Sequence, residues 1–181
     1  MLNKQPPCCV SIRQHWLRLK SVRVFDVISF ETNEINKWKI ELEIMNSNPS
    51  YNQMSKSKST INYDDILSEY DESKKLNTTR LLIKQGNNYI GLVDYCINNP
   101  SDNTPWISLF VIHKKFQGSG NSHEVFELLE SLVRKEGKTK LHLAVHKENE
   151  KGLSFWSRIG FNKVKVIIFE GKPHYCLEKD I

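Results

Sequence analysis

Glycine is missing from the first 85 of the 181 residues, and all eight glycines fall between Gly86 and Gly171. The two parts of the chain are punctuated differently, and no internal repeat relates them. Proline is scarce as well, with six in the whole chain, so a low-complexity or collagen-like chain is excluded. No segment reaches the roughly 18 consecutive apolar residues that a membrane-spanning helix needs. The first residues, with Lys4, Pro6, Pro7, Arg13, Arg18 and Lys20, hold no apolar run of signal-peptide length. A soluble, cytoplasmic protein is the expectation. Cysteine is sparse too. Cys8, Cys9, Cys96 and Cys176 have neither zinc-finger nor CxxC spacing, which argues against a metal site and a redox motif and predicts free thiols. No block of like charge occurs, so neither a nucleic-acid-binding arm nor a nucleic-acid partner is expected.

What is present suits a folded domain. Hydrophobic residues make up 39% and charged residues 26%, enough to bury a core without disulfide staples. Residues 22–181 read as one domain, and residues 1–21 as an N-terminal extension. The net charge of +5 is unevenly spread: residues 31–76 carry six basic and nine acidic side chains, the rest being basic on balance.

Val22–Phe30, rich in β-branched and aromatic residues, predicts a strand. A helix capped by Thr32 or Asn33 follows to about Met45, with Ile35, Trp38, Leu42 and Met45 at helical spacing. Asn46–Asn62, polar and holding five serines, reads as a long mobile loop. Asp64–Leu76 predicts a short acidic helix. Thr79–Lys84 and Tyr89–Ile97 predict a hairpin around Gln85–Asn88. Trp106–His113 is an apolar strand. Ser119–Glu136 predicts a helix whose apolar face is Val125, Leu128, Leu129 and Leu132. Lys140–Val145 is a strand, Asn149–Ile159 a helix, and Asn162–Glu170 and His174–Glu178 are strands around a turn at Gly171. Cys96 and Cys176 fall in strands and are expected in the core. The order gives an α/β (α+β) fold, a mixed sheet with helices packed on its faces.

The chemistry-bearing stretch is Phe116–Ser122, FQGSGNS. A strand runs into a glycine-containing turn and then a helix, whose first N–H groups have no internal acceptor. With the helix dipole they suit phosphate oxygens, and glycine lets a pyrophosphate approach the backbone. A plain tight turn is the alternative. Neither the P-loop pattern nor GxGxxG is present.

A second segment, Asn149–Phe161 (NEKGLSFWSRIGF), lies one helix and one strand further on. Gln117-Gly118-Ser119-Gly120-Asn121-Ser122, together with Asn149, Gly152, Phe155, Trp156, Gly160 and Phe161 in register, resembles the GCN5-related N-acetyltransferase (GNAT) superfamily. The motifs cover about residues 105–162. The resemblance implies a mixed, mostly antiparallel central sheet of about six to seven strands with helices on both faces. It implies acetyl-CoA as the cofactor. Gln117, Gly118, Ser119, Gly120, Asn121 and Ser122 would cradle the pyrophosphate, with hydroxyl donors from Ser119 and Ser122. Val111, Ile112 and His113 would end the strand that pairs with the pantetheine arm, splayed from strand 140–145. Asn149 would contact the cofactor, and Phe155 and Trp156 would wall the thioester end or, alternatively, pack their helix on the sheet. Ser122 stands where the family has Gly or Ala. Trp156 stands where many members have a tyrosine that protonates the leaving thiolate, a step that an indole N–H cannot perform.

The implied activity is transfer of an acetyl group to a primary amine by direct attack, with a small-molecule or peptide amine as acceptor. A backbone N–H near Val111 or Ile112 would polarise the carbonyl. The positions where members place a base fall near Trp106 and Ser108, and Ser108 could order a water. Asp94 is a second catalytic candidate, its plain reading being a solvent-facing strand residue. His142, Glu178 and Tyr175 complete the set, with His142 expected to be exposed or beside a helix. The acidic excess of residues 31–76 would suit a cationic acceptor. A catalytically silent acyl-CoA-binding module is the alternative function. Pairing into a homodimer is common in the family, but no residue here marks an interface.

Overall fold

The computed structural model describes residues 27–181. Strand β1 (Ile28–Thr32) is followed by a 3-10 turn and helices α1 (Trp38–Asn46), α2 (Pro49–Lys56) and α3 (Tyr63–Lys75). Strands β2 (Thr79–Gln85), β3 (Asn88–Cys96) and β4 (Trp106–Ile112) come next, then α4 (Asn121–Lys135), β5 (Lys140–His146), α5 (Glu150–Arg158), β6 (Asn162–Phe169) and β7 (Lys172–Asp180). The seven strands form one sheet in the order β1-β2-β3-β4-β5-β7-β6. Every neighbouring pair is antiparallel except β4 with β5.

Alternation along the strands supplies two cores, one on each face. Leu81, Ile83, Leu141, Leu143 and Leu177 point to the face covered by α4 and α5, while Leu82, Leu92 and Val111 meet α1 and α3 on the other. Helix α4 buries Val125, Phe126, Leu129 and Val133, each contributing about 1.5–3 kcal/mol. The buried stripe is therefore turned from the expected one, leaving Leu128 and Leu132 half-buried at its side. Cys96 and Cys176 are buried free thiols.

Three further expectations change. The 46–62 segment is not a long loop, because Pro49–Lys56 is helical. Its polarity serves the interior: the fully buried Asn52 donates from Nδ2 to the Met45 and Ser59 carbonyls, at 3.0 and 3.3 Å. Asn46 brackets Ile61, accepting from its N–H at 2.8 Å and donating to its carbonyl at 3.0 Å. Proline at the first helical position starts α2, since its missing N–H is an orphan there anyway. Secondly, neither Thr32 nor Asn33 caps α1. The chain first makes a 3-10 turn at Ile35–Lys37, and the buried Asn33 side chain donates to Glu41 Oε2 at 2.7 Å. Thirdly, the first strand runs from Ile28 to Thr32; residues 22–26 of the expected strand, and the extension, lie outside the described residues.

Candidate functional site

The site begins with one extra residue. On β3, Asp94 and Tyr95 are adjacent, yet they pair with Leu109 and Ile107 of β4, so Ser108 is the unpaired residue of a β-bulge. A bulge bends its strand and increases the local twist. Its effect is seen in the next pairing: β4 and β5 stay in parallel register only at Trp106–His142 and Ile107–Leu143, then separate. His113 donates its backbone N–H to the Ile90 carbonyl at 2.8 Å. Antiparallel alternation then turns Val111 toward β3 as well and leaves the N–H groups of Phe110 and Ile112 aimed at the gap. The Ile112 carbonyl is occupied, accepting from the Asn48 and Gln117 side chains at 3.2 and 2.9 Å.

A cavity of about 550 Å³ opens at this gap. Ser108, Leu109 and Phe110 form one wall and Leu143–His146 the other. It continues over the part of the sheet beyond α2, where His174 and Cys176 of β7 and Lys165 and Ile167 of β6 face it. Tyr51, Met54 and Ser55 of α2 close the remaining side. Ala144 is exposed in the middle of β5 and Ser108 is exposed at the bulge, so both strands present small residues to the gap. Burial holds the Tyr51 hydroxyl up at about 12, so it is a neutral donor at ordinary pH.

The glycine loop sits at the far end of β4. Gly118 and Gly120 have φ of +83° and +90°, and nothing lies within 4 Å of where either would carry a Cβ. Gly120 is the N-cap of α4 and, among the described residues, no side chain caps that end. By contrast, α3 begins with a full capping box from Asn62 and Asp65. The first N–H groups of α4 are therefore left for an outside acceptor. The loop's own side chains are engaged elsewhere. Gln117 Nε2 donates to Asn48 Oδ1 at 2.7 Å, fastening the loop to the segment before α2. Ser119 Oγ donates to the Phe116 carbonyl at 3.0 Å. Asn121 is buried, donating to Phe116 and accepting from Gln85. What remains facing outward is backbone and Ser122. His113 Nδ1 accepts from the Lys115 N–H at 3.1 Å and shapes the approach.

The second motif has a local logic. Asn149 caps α5 by accepting from the Gly152 N–H at 3.0 Å. A Cβ on residue 152 would lie 2.5 Å from the Asn149 amide nitrogen, so the pair is coupled. Trp156 is buried among Phe110, Phe126, Phe155 and Phe161, yet it reaches the cavity wall. Phe155 is stacked on Phe110, with centroids 5.8 Å apart, and lies behind that wall.

The catalytic candidates separate. Asp94 is not solvent-facing. It is 7% exposed and bonded through Oδ2 to Arg80 Nε at 2.9 Å, and Arg80 also holds the buried Glu41. Burial pushes the Asp94 carboxyl up to about 7, with Arg80 opposing the shift. Its Oδ1 is buried without a partner among the described residues. Its backbone carbonyl accepts from Ser108 Oγ at 3.1 Å, tying it to the bulge. His142 is not exposed: it stacks on Trp106 and meets Glu178 Oε2 at 3.0 Å through Nε2, while its Nδ1 is buried without a partner among the described residues. Tyr175 packs into the α4/α5 core, on the side of β7 away from the cavity. Four of the nine acidic residues of 31–76 pair with a lysine or arginine, Glu31 with Lys37 and Lys84, Glu41 with Arg80, Glu69 with Lys56, and Asp65 with Lys58. None of these carboxylates lines the cavity. Sequence reasoning missed Tyr51, Ala144, His146 and His174. The outward alternation of His142, Ala144 and His146 was the available signal for two of them.

A strand bulge that opens a gap between two parallel strands, followed by an uncapped helix end, leaves free N–H groups and space of a kind that suits a long ligand with an anionic tail. The acetyltransferase (GNAT) family model matches residues 42–161, and the chain belongs to that family. Comparison with curated proteins gives no match. Among solved structures, an acetyltransferase from Thermus thermophilus superposes with a TM-score of 0.73 at 16% identity, over 87% of this chain and 99% of that one. The PaiA N-acetyltransferase of Thermoplasma acidophilum, solved with coenzyme A, gives 0.62 at 17% identity, over 86% and 99%. YncA of Salmonella typhimurium, solved with its cofactor acetyl-CoA, gives 0.58 at 14%, over 84% and 93%. At these identities the likeness is one of fold.

Proposed function

We propose that the protein is an acetyl-CoA-dependent N-acetyltransferase that delivers the acetyl group to a primary amine by direct attack in a ternary complex. The observation that carries this reading is the gap between β4 and β5, opened by the bulge at Ser108 and joined to a 550 Å³ cavity. The residues present fit the cofactor. Exposed Ala144 leaves room for an arm between the strands, and the N–H groups of Phe110 and Ile112 face it. The backbone of Gly118–Ser122 and the open end of α4 suit a pyrophosphate. When bound, acetyl-CoA supplies an acetyl group activated as a thioester. The N–H groups of Phe110 and Ile112 would supply a preorganised donor to the thioester carbonyl, and the cavity walls would hold the two reactants in line. Ser108 keeps a hydroxyl at the bulge, able to order water near the amine. The main-chain carbonyl of Asp94 holds Ser108 Oγ, and its carboxylate would act only by stiffening β3 through Arg80.

The acceptor is a small-molecule or peptide amine. A catalytically silent acyl-CoA-binding module is the second reading, favoured by Trp156 in the place of a tyrosine and by the engagement of Asp94 with Arg80. Calorimetric titration with acetyl-CoA, followed by acetyl transfer to a polyamine, an aminoglycoside and a peptide with a free N-terminus, tests both. Binding with transfer supports the enzyme; binding without transfer supports the module. No binding by the folded protein removes both.

A further inference from the structure

His146 and His174 are direct cross-strand partners on β5 and β7, and both line the cavity. Their rings meet edge to face, with centroids 5.1 Å apart and planes at 76°. Each ring is fixed by one backbone bond of opposite sense. His146 Nδ1 accepts the Glu148 N–H at 3.2 Å, which puts its proton on Nε2. His174 Nδ1 lies 2.9 Å from the Lys172 carbonyl. A carbonyl can only accept, so Nδ1 of His174 carries the proton and Nε2 keeps a lone pair. Among the described residues nothing else bonds either Nε2. Counting on from Ile107 and Leu143 brings His146 level with Phe110 across the gap, where the strand N–H groups face. Asp94 and His142 bond Arg80 and Glu178 through Oδ2 and Nε2, their remaining Oδ1 and Nδ1 are buried, and neither residue lines the cavity.

Building on the acetyltransferase reading, we propose that His174 is the base of the transfer and His146 the group that positions its ring. The acceptor nitrogen forms its bond to the acetyl carbon as the carbon–sulfur bond breaks. The amine proton passes to His174 Nε2, and the imidazolium returns it to the leaving sulfur, so no net proton is consumed. Lys172 fixes the arrangement from below: its Nζ donates to the Met54 and Ser55 carbonyls and to Ser57 Oγ, holding the start of β7 against α2. The other charged side chains of the cavity are Lys165, Glu170 and Asp102. His146 itself is held below the usual imidazole range by burial, with His174 and Lys172 adding to the effect and Glu148 opposing it. A neutral neighbour suits a ring that must carry charge transiently.

Two measurements test this. Long-range proton–nitrogen NMR of the full chain without ligand reads the tautomers directly. The expected result is His174 protonated on Nδ1 and His146 on Nε2; neutral His174 protonated on Nε2 would overturn the proposal, whatever the acceptor. His174→Asn keeps a donor for the Lys172 carbonyl and removes the ring nitrogen that accepts. With the amine panel as the probe, kcat should fall about 100-fold or more, while acetyl-CoA binding by calorimetry stays within about threefold. His174→Ala should regain activity with added imidazole. A wild type that transfers acetyl groups and a His174→Asn variant that does so equally well would sink the role of His174 alone. A wild type that fails to bind acetyl-CoA would sink the acetyltransferase reading itself.

Discussion

Gly120→Asp should remove acetyl-CoA binding without unfolding the protein. Gly120 sits at φ +90° with nothing within 4 Å of the new Cβ, so no clash is created. The substitution carries only the left-handed backbone penalty, about 1–2 kcal/mol of stability. The charge acts on the ligand. At about 5 Å from a phosphate, a carboxylate repels each unit charge by about 1 kcal/mol in water and about 3 kcal/mol at an effective dielectric near 20. For a pyrophosphate at a half-exposed loop, about 2–4 kcal/mol in total is reasonable. That amounts to roughly 30- to 1000-fold in Kd. Gly120→Ala separates the terms, because it bears the same backbone penalty with no charge. Calorimetric titration of the wild type and both variants, beside thermal melts, measures each contribution. The difference between Asp and Ala should shrink at higher salt. An Asp variant that is folded and binds within about threefold of the Ala variant would refute the assignment of the loop.

The remaining predictions concern the gap and the buried ions. Ala144→Leu should block the space between β4 and β5, abolishing acetyl-CoA binding in a titration while the melting temperature holds, because Ala144 is exposed. Arg80→Leu leaves Glu41 and Asp94 buried without their cation, and should cost about 3–5 kcal/mol in urea unfolding. A loss under about 1 kcal/mol would contradict the placement. The Asp94 carboxyl is raised from 3.8 to about 7 in the folded state. Its folded form therefore binds the proton more tightly than the unfolded chain, and the stability this confers is lost as pH rises from about 4 through about 7. Urea unfolding of wild type and Asp94→Asn across that range should show wild type losing ground to the variant. A constant difference would refute the shift.

Much of the architecture was legible because its signals are local. The two motifs fall at strand–turn–helix junctions, where glycine's left-handed backbone and the uncapped helix end follow from residue type and position. Strands β2 and β3 were legible from the hairpin turn between them, β4 from its apolar run and β5 from its alternation of apolar and polar side chains. The 46–62 segment was not, since serine and asparagine read as loop formers when their partners are unknown. Asn52 and Asn46 are interior residues only because the carbonyls they satisfy are brought to them by α1 and by the segment before α3.

The sequence by itself determined the order of elements apart from α2, the phosphate-suited turn and the family, since each rests on residues near one another in the chain. Tertiary structure alone decided the chemistry of the cavity. Whether Asp94 is a free carboxylate or an ion-pair partner depends on Arg80, 14 positions before it, and on Glu41, a further 39 positions back. The bulge at Ser108 exists only in the pairing of β4 with β3. The opposed tautomers of His146 and His174 are set by backbone groups two residues away, but the two rings meet only when β5 and β7 lie side by side. A side chain's protonation and orientation are properties of its surroundings, and those surroundings are assembled by packing.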